Sequence, residues 1–169
     1  MKVIQNFLDK EQFKVIQDIV MNKGGGVDTM PYFFQNFVAF EDTTLGDSYF
    51  IHTLYELNFN KCDLYISNYY TDILKPILRK LQIKSLTRAK VNMYPRTSEI
   101  VEHKAHSDFP YTHKGCVFSI NTCDGYTKIG NKKIPSIENQ AIFFDSSIPH
   151  NSTTCTNDKG RFNININYF

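Results

Sequence analysis

The sequence contains no tryptophan, four arginines and four cysteines. The cysteines (Cys62, Cys116, Cys123, Cys155) make no C-x-x-C pair. That removes the usual zinc-ribbon and thioredoxin-type readings and fits free thiols in a reducing cytosol. No one sign of charge dominates: 19 Lys and Arg against 17 Asp and Glu leave a formal net charge of +2. Without a basic run, the chain lacks the footprint of a long nucleic-acid partner. No uncharged apolar stretch approaches the ~18 residues of a membrane-spanning helix. The opening residues, MKVIQNFLDKEQF, show neither the apolar region nor the small-residue cleavage site of a secretory signal. G-x-S-x-G and H-E-x-x-H are missing, and the glycines at Gly24, Gly25 and Gly26 lack the Lys-Ser/Thr ending of a phosphate loop. These absences point to a cytoplasmic, soluble chain with no membrane partner and no conventional nucleophile.

What is present is a core. Hydrophobic residues make up 41% of 169 positions, with 14 Phe and 10 Tyr, which excludes disorder. A chain of this length buries roughly 70% of its unfolded surface, and the expectation is one domain over 1–169. Its first part, 1–84, reads as mostly helical support and its second, 85–169, as a β core.

In the first part Asp9 and Gln12 form a capping box. Phe13, Ile16, Ile19 and Val20 follow at helical spacing, Phe7 and Leu8 can pack back on that helix, and the three glycines stop it. Residues 27–46 are aromatic-rich and irregular, and Phe33, Gln35, Phe37 and Ala39 hint at a strand. Most of these aromatics are expected to pack helices onto a sheet, while 27–40 and the loop 96–104 are the candidate substrate lid. Helices are expected over Ser48–Leu57 and Asp63–Leu81, the latter kinked or divided at Pro76. From Leu86 onward the period changes to two, with short strands expected at 86–94, 100–107, 115–122, 126–129, 132–134, 140–145 and 161–168. Gly130-Asn131 reads as a two-residue hairpin turn. Short strands after a helical leader indicate a small barrel or sandwich with helices on one side. The excess of Asn and Ile, 15 and 17 residues, is read as genome composition rather than function.

Of five histidines, two stand in an informative order. His106 and Asp108 are two residues apart, so on a strand both project from one face. His150 lies 42 residues beyond Asp108, and Arg161 follows eleven residues later at the start of the last strand. Two imidazoles and one carboxylate match the facial triad of non-haem Fe(II) sites. Such a triad leaves positions for a bidentate 2-oxo acid and for dioxygen. The far carboxylate of that acid needs a planar, two-pronged donor, which Arg161 supplies better than a lysine. His103, of opposite strand parity to His106, is placed on the other face. His52 is assigned to a helix, and His113 to a pocket rim.

These residues resemble the 2-oxoglutarate- and Fe(II)-dependent oxygenases, in particular the compact prolyl-hydroxylase-like branch with its phage-encoded forms. The resemblance runs through VIQNFLDKEQF, KVNMYP, HSD, INTCDGYTKI and PHNSTTCTNDKGRFNININY, most of the chain. It implies a mainly β (α+β) fold, a double-stranded β-helix or jelly roll with N-terminal supporting helices. It also implies Fe(II) on His106, Asp108 and His150, with 2-oxoglutarate and O2 as cosubstrates and Arg161 on the distal carboxylate. Tyr94 would reach the cosubstrate pocket, and Thr127, in Gly125-Tyr126-Thr127 where the family has Gly-Glu-Thr, would share the carboxylate. Asn121 and Asn163 are further pocket candidates. The activity implied is hydroxylation of a C–H bond, of a peptidyl residue such as proline, in the cytoplasm or, for a virus-encoded form, the host cytoplasm. Alternatives are an oxygenase of a small molecule or nucleotide, a non-catalytic metal- or 2-oxo-acid-binding module, and a zinc hydrolase with the same ligands. With the jelly roll and its helices using the whole sequence, recognition is expected from loops at the barrel mouth or from a partner chain.

Overall fold

The capping box at Asp9 does what its spacing predicts. In this computed structural model, which describes residues 1–26, 29–39, 47–58 and 61–169, the Gln12 backbone N–H donates to Asp9 Oδ1 at 2.9 Å and opens helix α1 (Lys10–Val20). Strand β1 (Lys2–Ile4) precedes it. The strands that follow are β2 (Phe33–Gln35), β3 (Tyr49–Asn58) and β4 (Asp63–Ile66). A single π-helical turn (Tyr70–Leu74) then leads into helix α2 (Lys75–Leu81). The second half holds β5 (Leu86–Pro95), β6 (Lys114–Ser119), β7 (Cys123–Ile129), β8 (Lys132–Ser136), β9 (Gln140–Asp145), β10 (His150–Asn151) and β11 (Gly160–Tyr168).

Three expectations need correction. The helix expected at Ser48–Leu57 is strand β3, rich in the β-branched and aromatic side chains that suit a pleated surface. The helix expected at Asp63–Leu81 begins as strand β4, and only its later part is helical; Pro76 lies in the first turn of α2, where its missing N–H breaks no bond. The strand expected at 100–107 makes no continuous ladder. His103 N–H donates to Ser152 O and His106 N–H to His150 O, so three steps on one side face two on the other. That extra residue is a bulge, and the pairing survives as isolated bridges at Glu102 and His106. The hairpin turn is as expected: Ile129 pairs with Lys132 and Gly130 takes φ 57°.

The strands assemble into two antiparallel sheets. The larger runs β1-β9-β6-β11-β5-β3-β2, with β4 also on β3, and the smaller runs β10-β7-β8. Together they form a jelly roll. One face of the large sheet, including Ala89, Val91, Phe118, Ile164 and Ile166, packs on Phe13, Ile16 and Val20 of α1 and on Ile73, Leu74 and Ile77. Phe7 sits in this layer, its ring 5.9 Å from that of Phe118. The opposite face looks toward the smaller sheet. The aromatics Phe33 and Phe34 are 58% and 57% exposed rather than packed under helices. Residues 27, 28 and 40–46, with Phe40 of the aromatic segment, lie outside the described residues. All four cysteines are free thiols. Among the described residues no helix is long and apolar enough to cross a membrane.

Asn139 fastens the N-terminal segment to this frame. At φ 56°, a conformation asparagine tolerates, its Nδ2 donates to Leu8 O and its Oδ1 accepts from Leu8 N–H, both at 2.9 Å. Its carbonyl also accepts from Phe7 N–H at 2.9 Å. Asn139→Ala leaves the two Leu8 groups unpaired in a buried position and is expected to cost about 2–3 kcal/mol in urea unfolding. A loss within ~0.5 kcal/mol, the range of ordinary surface changes, would show that the clamp holds nothing.

Candidate active site

On β5 and β11 the face of the large sheet turned away from the helices is polar and buried. Register pairs Arg161 with Tyr94, Asn163 with Asn92, Asn165 with Lys90 and Asn167 with Arg88 across β11 and β5. Residues two apart share a face, so eight polar side chains form four rows inside the jelly roll. Asn163, Asn165 and Asn167 are 3%, 7% and 0% exposed. Buried amides in such number are held for a purpose, because each needs hydrogen-bond partners.

Over the lower rows stands Asp108. Its Oδ1 accepts from Arg88 Nη2 at 2.8 Å, and its Oδ2 accepts from Ser146 Oγ at 2.7 Å and Asn167 Nδ2 at 2.9 Å. Asn165 Nδ2 adds longer contacts of 3.4 and 3.3 Å to the two oxygens. Ser146 fits because residue 115, paired with Asn167, is glycine; a Cβ there would stand 2.7 Å from Ser146 Oγ. Burial alone raises the Asp108 carboxyl, but the neighbouring His150 ring and the Arg88 charge prevail and hold it well below the ordinary range.

The bulged pairing of His106 with His150 sets two imidazoles beside this carboxylate, their rings 5.0 Å apart. His150 Nδ1 lies 2.9 Å from Ile148 O. The carbonyl takes that N–H and leaves the Nε2 lone pair facing inward; Nε2 is 3.6 Å from Asp108 Oδ2. One ligand atom from each of His106, Asp108 and His150 lies within 4.8 Å of the others, the one such group of three among the described residues. Burial first, and His150 second, lower the His106 pKa, so its ring is neutral and able to coordinate.

Arg161 is fully buried at 0% exposure. Its Nη2 donates to Thr127 Oγ1 at 2.6 Å and its Nη1 to Thr153 O at 3.3 Å, while Nε has no partner among the described residues. No described carboxylate pairs with it. The Tyr94 ring lies 5.7 Å away, itself stacked on Tyr49 at 5.4 Å. Gly125 makes room for the guanidinium's stem, since a Cβ there would meet Arg161 Cδ at 2.8 Å. A narrow inner cavity of about 30 Å³, lined by His106, His150, Tyr94, Thr127, Asn92 and Asn163, leads inward from the triad. On its other side an outer cavity of about 220 Å³ is lined by Phe37, Ala39, Tyr49, Arg88, Lys90 and Asp108. There burial, and Arg88 after it, push the Lys90 ammonium down to about 8.

Of the residues singled out from sequence, His106, Asp108, His150, Tyr94, Thr127 and Asn163 converge here. Asn121 does not: its amide donates to Asp158 Oδ2 and Gly160 O and accepts from Phe162 N–H. His103 is not on an outer face. The bulge resets its parity, and it packs inside against Tyr94 at 5.2 Å, outside the group of three. His113 is buried behind the site, its Nε2 3.2 Å from Asn167 Nδ2. His52 lies on β3 and bridges Pro31 O and Ser67 Oγ. Sequence reasoning missed Arg88, Lys90, Ser146, Asn165 and Asn167. The visible signal was the repeated asparagine on one face of β11.

The chemistry of the donor set, two imidazoles and a deprotonated carboxylate, fits a divalent first-row metal such as Fe(II). The buried, carboxylate-free guanidinium fits a diacid. Comparison with solved structures gives the same fold. The chain is similar to a prolyl hydroxylase from Trichoplax adhaerens in complex with a hypoxia inducible factor peptide fragment (18% identity, TM-score 0.67, 99% of this chain and 82% of that one). It is similar to a 2OG-Fe(II) oxygenase family oxidoreductase from Burkholderia pseudomallei (11%, 0.65, 98% and 82%). It is also similar to the non-haem alpha-ketoglutarate-dependent epimerase SnoN of nogalamycin biosynthesis (11%, 0.68, 99% and 76%). No family model and no curated protein matches the sequence. The fold is therefore the jelly roll that 2-oxoglutarate oxygenases use.

His52 and His106 both have lowered pKa values, in each case chiefly through burial. The unfolded chain then takes up protons before the folded one does. Their contribution to stability is full above the ordinary histidine value near ~6.5 and is lost as pH falls through the folded values. With chelator present, the melting temperature is expected to fall as pH drops from about 7 to 5, and less steeply in His52→Gln. A flat profile over that range would contradict the assignment.

Proposed function

We infer that the protein is an Fe(II)- and 2-oxoglutarate-dependent dioxygenase that hydroxylates a C–H bond, with a peptidyl residue such as proline as substrate and 1–169 as one oxygenase domain. The observation that carries this reading is Arg161. A guanidinium held at zero exposure with no carboxylate partner among the described residues is costly, and it bonds Thr127 in the wall of the inner cavity that His106 and His150 also line. A zinc hydrolase on the same three ligands would leave that arginine without a role.

In this reading His106 and His150 offer Nε2 and Asp108 one oxygen to iron, while Arg88, Ser146 and Asn167 keep the carboxylate oriented. Arg161 and Thr127 receive the distal carboxylate of 2-oxoglutarate. Their mutual bond of 2.6 Å would open to admit it, and the cavity of about 30 Å³ would widen with it. Tyr94 and Asn92 close the sides and keep bulk water out. Bound there, ferrous iron with 2-oxoglutarate and O2 supplies oxidative decarboxylation to succinate and CO2 and the oxidising power for the C–H bond. The Trichoplax enzyme's peptide complex supports a peptide substrate. SnoN, an epimerase, shows that this fold also serves other outcomes, so the substrate must be decided at the outer cavity.

Incubation with Fe(II) and 2-oxoglutarate under air is expected to yield succinate, and chelation to abolish it. Arg161→Ala is expected to lose at least about tenfold in 2-oxoglutarate affinity, the effect of removing one partner of a buried charge pair, with metal binding retained. Gly125→Ala, which displaces Arg161, should act in the same direction. Unchanged 2-oxoglutarate affinity in Arg161→Ala would refute the placement.

A further inference from the structure

The outer cavity holds a cation that the proposed chemistry does not use. Lys90 projects from β5 in the row next to Arg88, on the face that carries the Asp108 cradle. Its Nζ lies 3.3 Å from Tyr49 Oη and 5.6 Å from the centre of the Tyr49 ring. An ammonium carries three N–H donors, and this one long contact leaves most of that capacity unused. Among the described residues no carboxylate is within ion-pair distance of it.

The charged groups that act on Lys90 are few. Arg88 has the same sign and is already committed, with Nη2 on Asp108 and its guanidinium 4.7 Å above the Phe109 ring. Asp108 attracts Lys90 but is shared among Arg88, Ser146, Asn165 and Asn167. Glu56, on β3, acts from beyond ion-pair distance. The rest of the lining is Gln35, Phe37, Val38, Ala39, Tyr49, Ser107 and the His106 ring, whose lowered pKa keeps it uncharged, so it adds no charge. A partly buried ammonium facing such a wall is costly until an anion meets it.

We propose that Lys90 is the specificity-determining residue of this site, holding a carboxylate of the substrate close to the C–H bond that is oxidised. This rests on the oxygenase reading above and names the substrate class. At about 220 Å³ the cavity is smaller than the ~300–1,000 Å³ of drug-sized sites and takes one amino-acid-sized group. One available ammonium, with Arg88 committed elsewhere, suits a carboxylate better than a phosphate, which draws several donors. The carboxylate is that of a free amino acid or of an acidic residue next to the target in a peptide.

The test compares acids with their amides on the 169-residue chain loaded with Mn(II) and 2-oxoglutarate, by calorimetry. One arm uses the free L-amino acids and their carboxamides. The other uses hexapeptide pools fixed with Asp or Glu, against the same pools with Asn or Gln. In one arm the acid is expected to bind at least about tenfold tighter than its amide, and that arm identifies the source. Lys90→Met should bring the ratio to near one, and Lys90→Arg should keep it. Equal binding of acid and amide in both arms, or a preference that survives Lys90→Met, overturns the proposal. Failure of the wild type to bind metal or 2-oxoglutarate sinks the oxygenase reading instead. The acid–amide comparison on the metal-free chain then still decides whether Lys90 reads a carboxylate.

Discussion

An ionised carboxylate inside a protein must be surrounded by donors or it will take up a proton, and the placement of Asp108 constrains much of this structure. Arg88, Ser146, Asn165 and Asn167 reach it from three different strands or loops. For that to happen β5 and β11 must be neighbours in one register, so that Arg88 and Asn167 stand opposite each other. Residue 115 must lack a side chain so that Ser146 can approach. His113 must accept from Asn167 so that the amide's other proton points at the carboxylate. Each of these is a small requirement of geometry, and a change in any one leaves a buried charge short of a partner, which is more costly than losing a surface contact.

The same requirement explains why β11 has two unlike buried faces. Ile164 and Ile166 meet the helices, while Arg161, Asn163, Asn165 and Asn167 face inward between the sheets. Read from sequence, the strand was plain, because its alternation is strict. The destination of its polar face was not, because alternation looks the same whether that face meets water or a buried site. Asparagine abundance, read as compositional background, was in part the record of this inner face.

The motif residues were legible for a related reason. His106, Asp108, His150 and Arg161 combine uncommon residue types with an order along strands, whereas Arg88, Lys90 and Ser146 are unremarkable until the strands are paired. The errors came where local pattern is ambiguous. Residues 49–58 place apolar side chains at spacings a helix also satisfies, and the register shift between Thr53 and Tyr55 interrupts the alternation that would have marked a strand. One extra residue between His103 and His106 similarly reversed the face assigned to His103. A bulge is a property of a strand and its partner together, so neither sequence segment declares it alone.

The two cavities divide the work between them. The inner one is narrow, and Thr127 in its wall bonds a guanidinium whose position depends on Gly125, so it tolerates little variation. The outer one is wider and bordered by a segment with exposed aromatics; it shares Arg88 and Asp108 with the cradle, but the rest of its wall is independent of it. Solved structures with this fold include a hydroxylase and an epimerase, which is intelligible if the centre between the cavities sets the oxidising chemistry and the outer wall sets what is presented to it. On that view Lys90 stands at the boundary. It shares a sheet face with the cradle, yet its charge is directed at what enters from outside, so a residue with no hydrogen bond to the three ligands has the most say over the substrate.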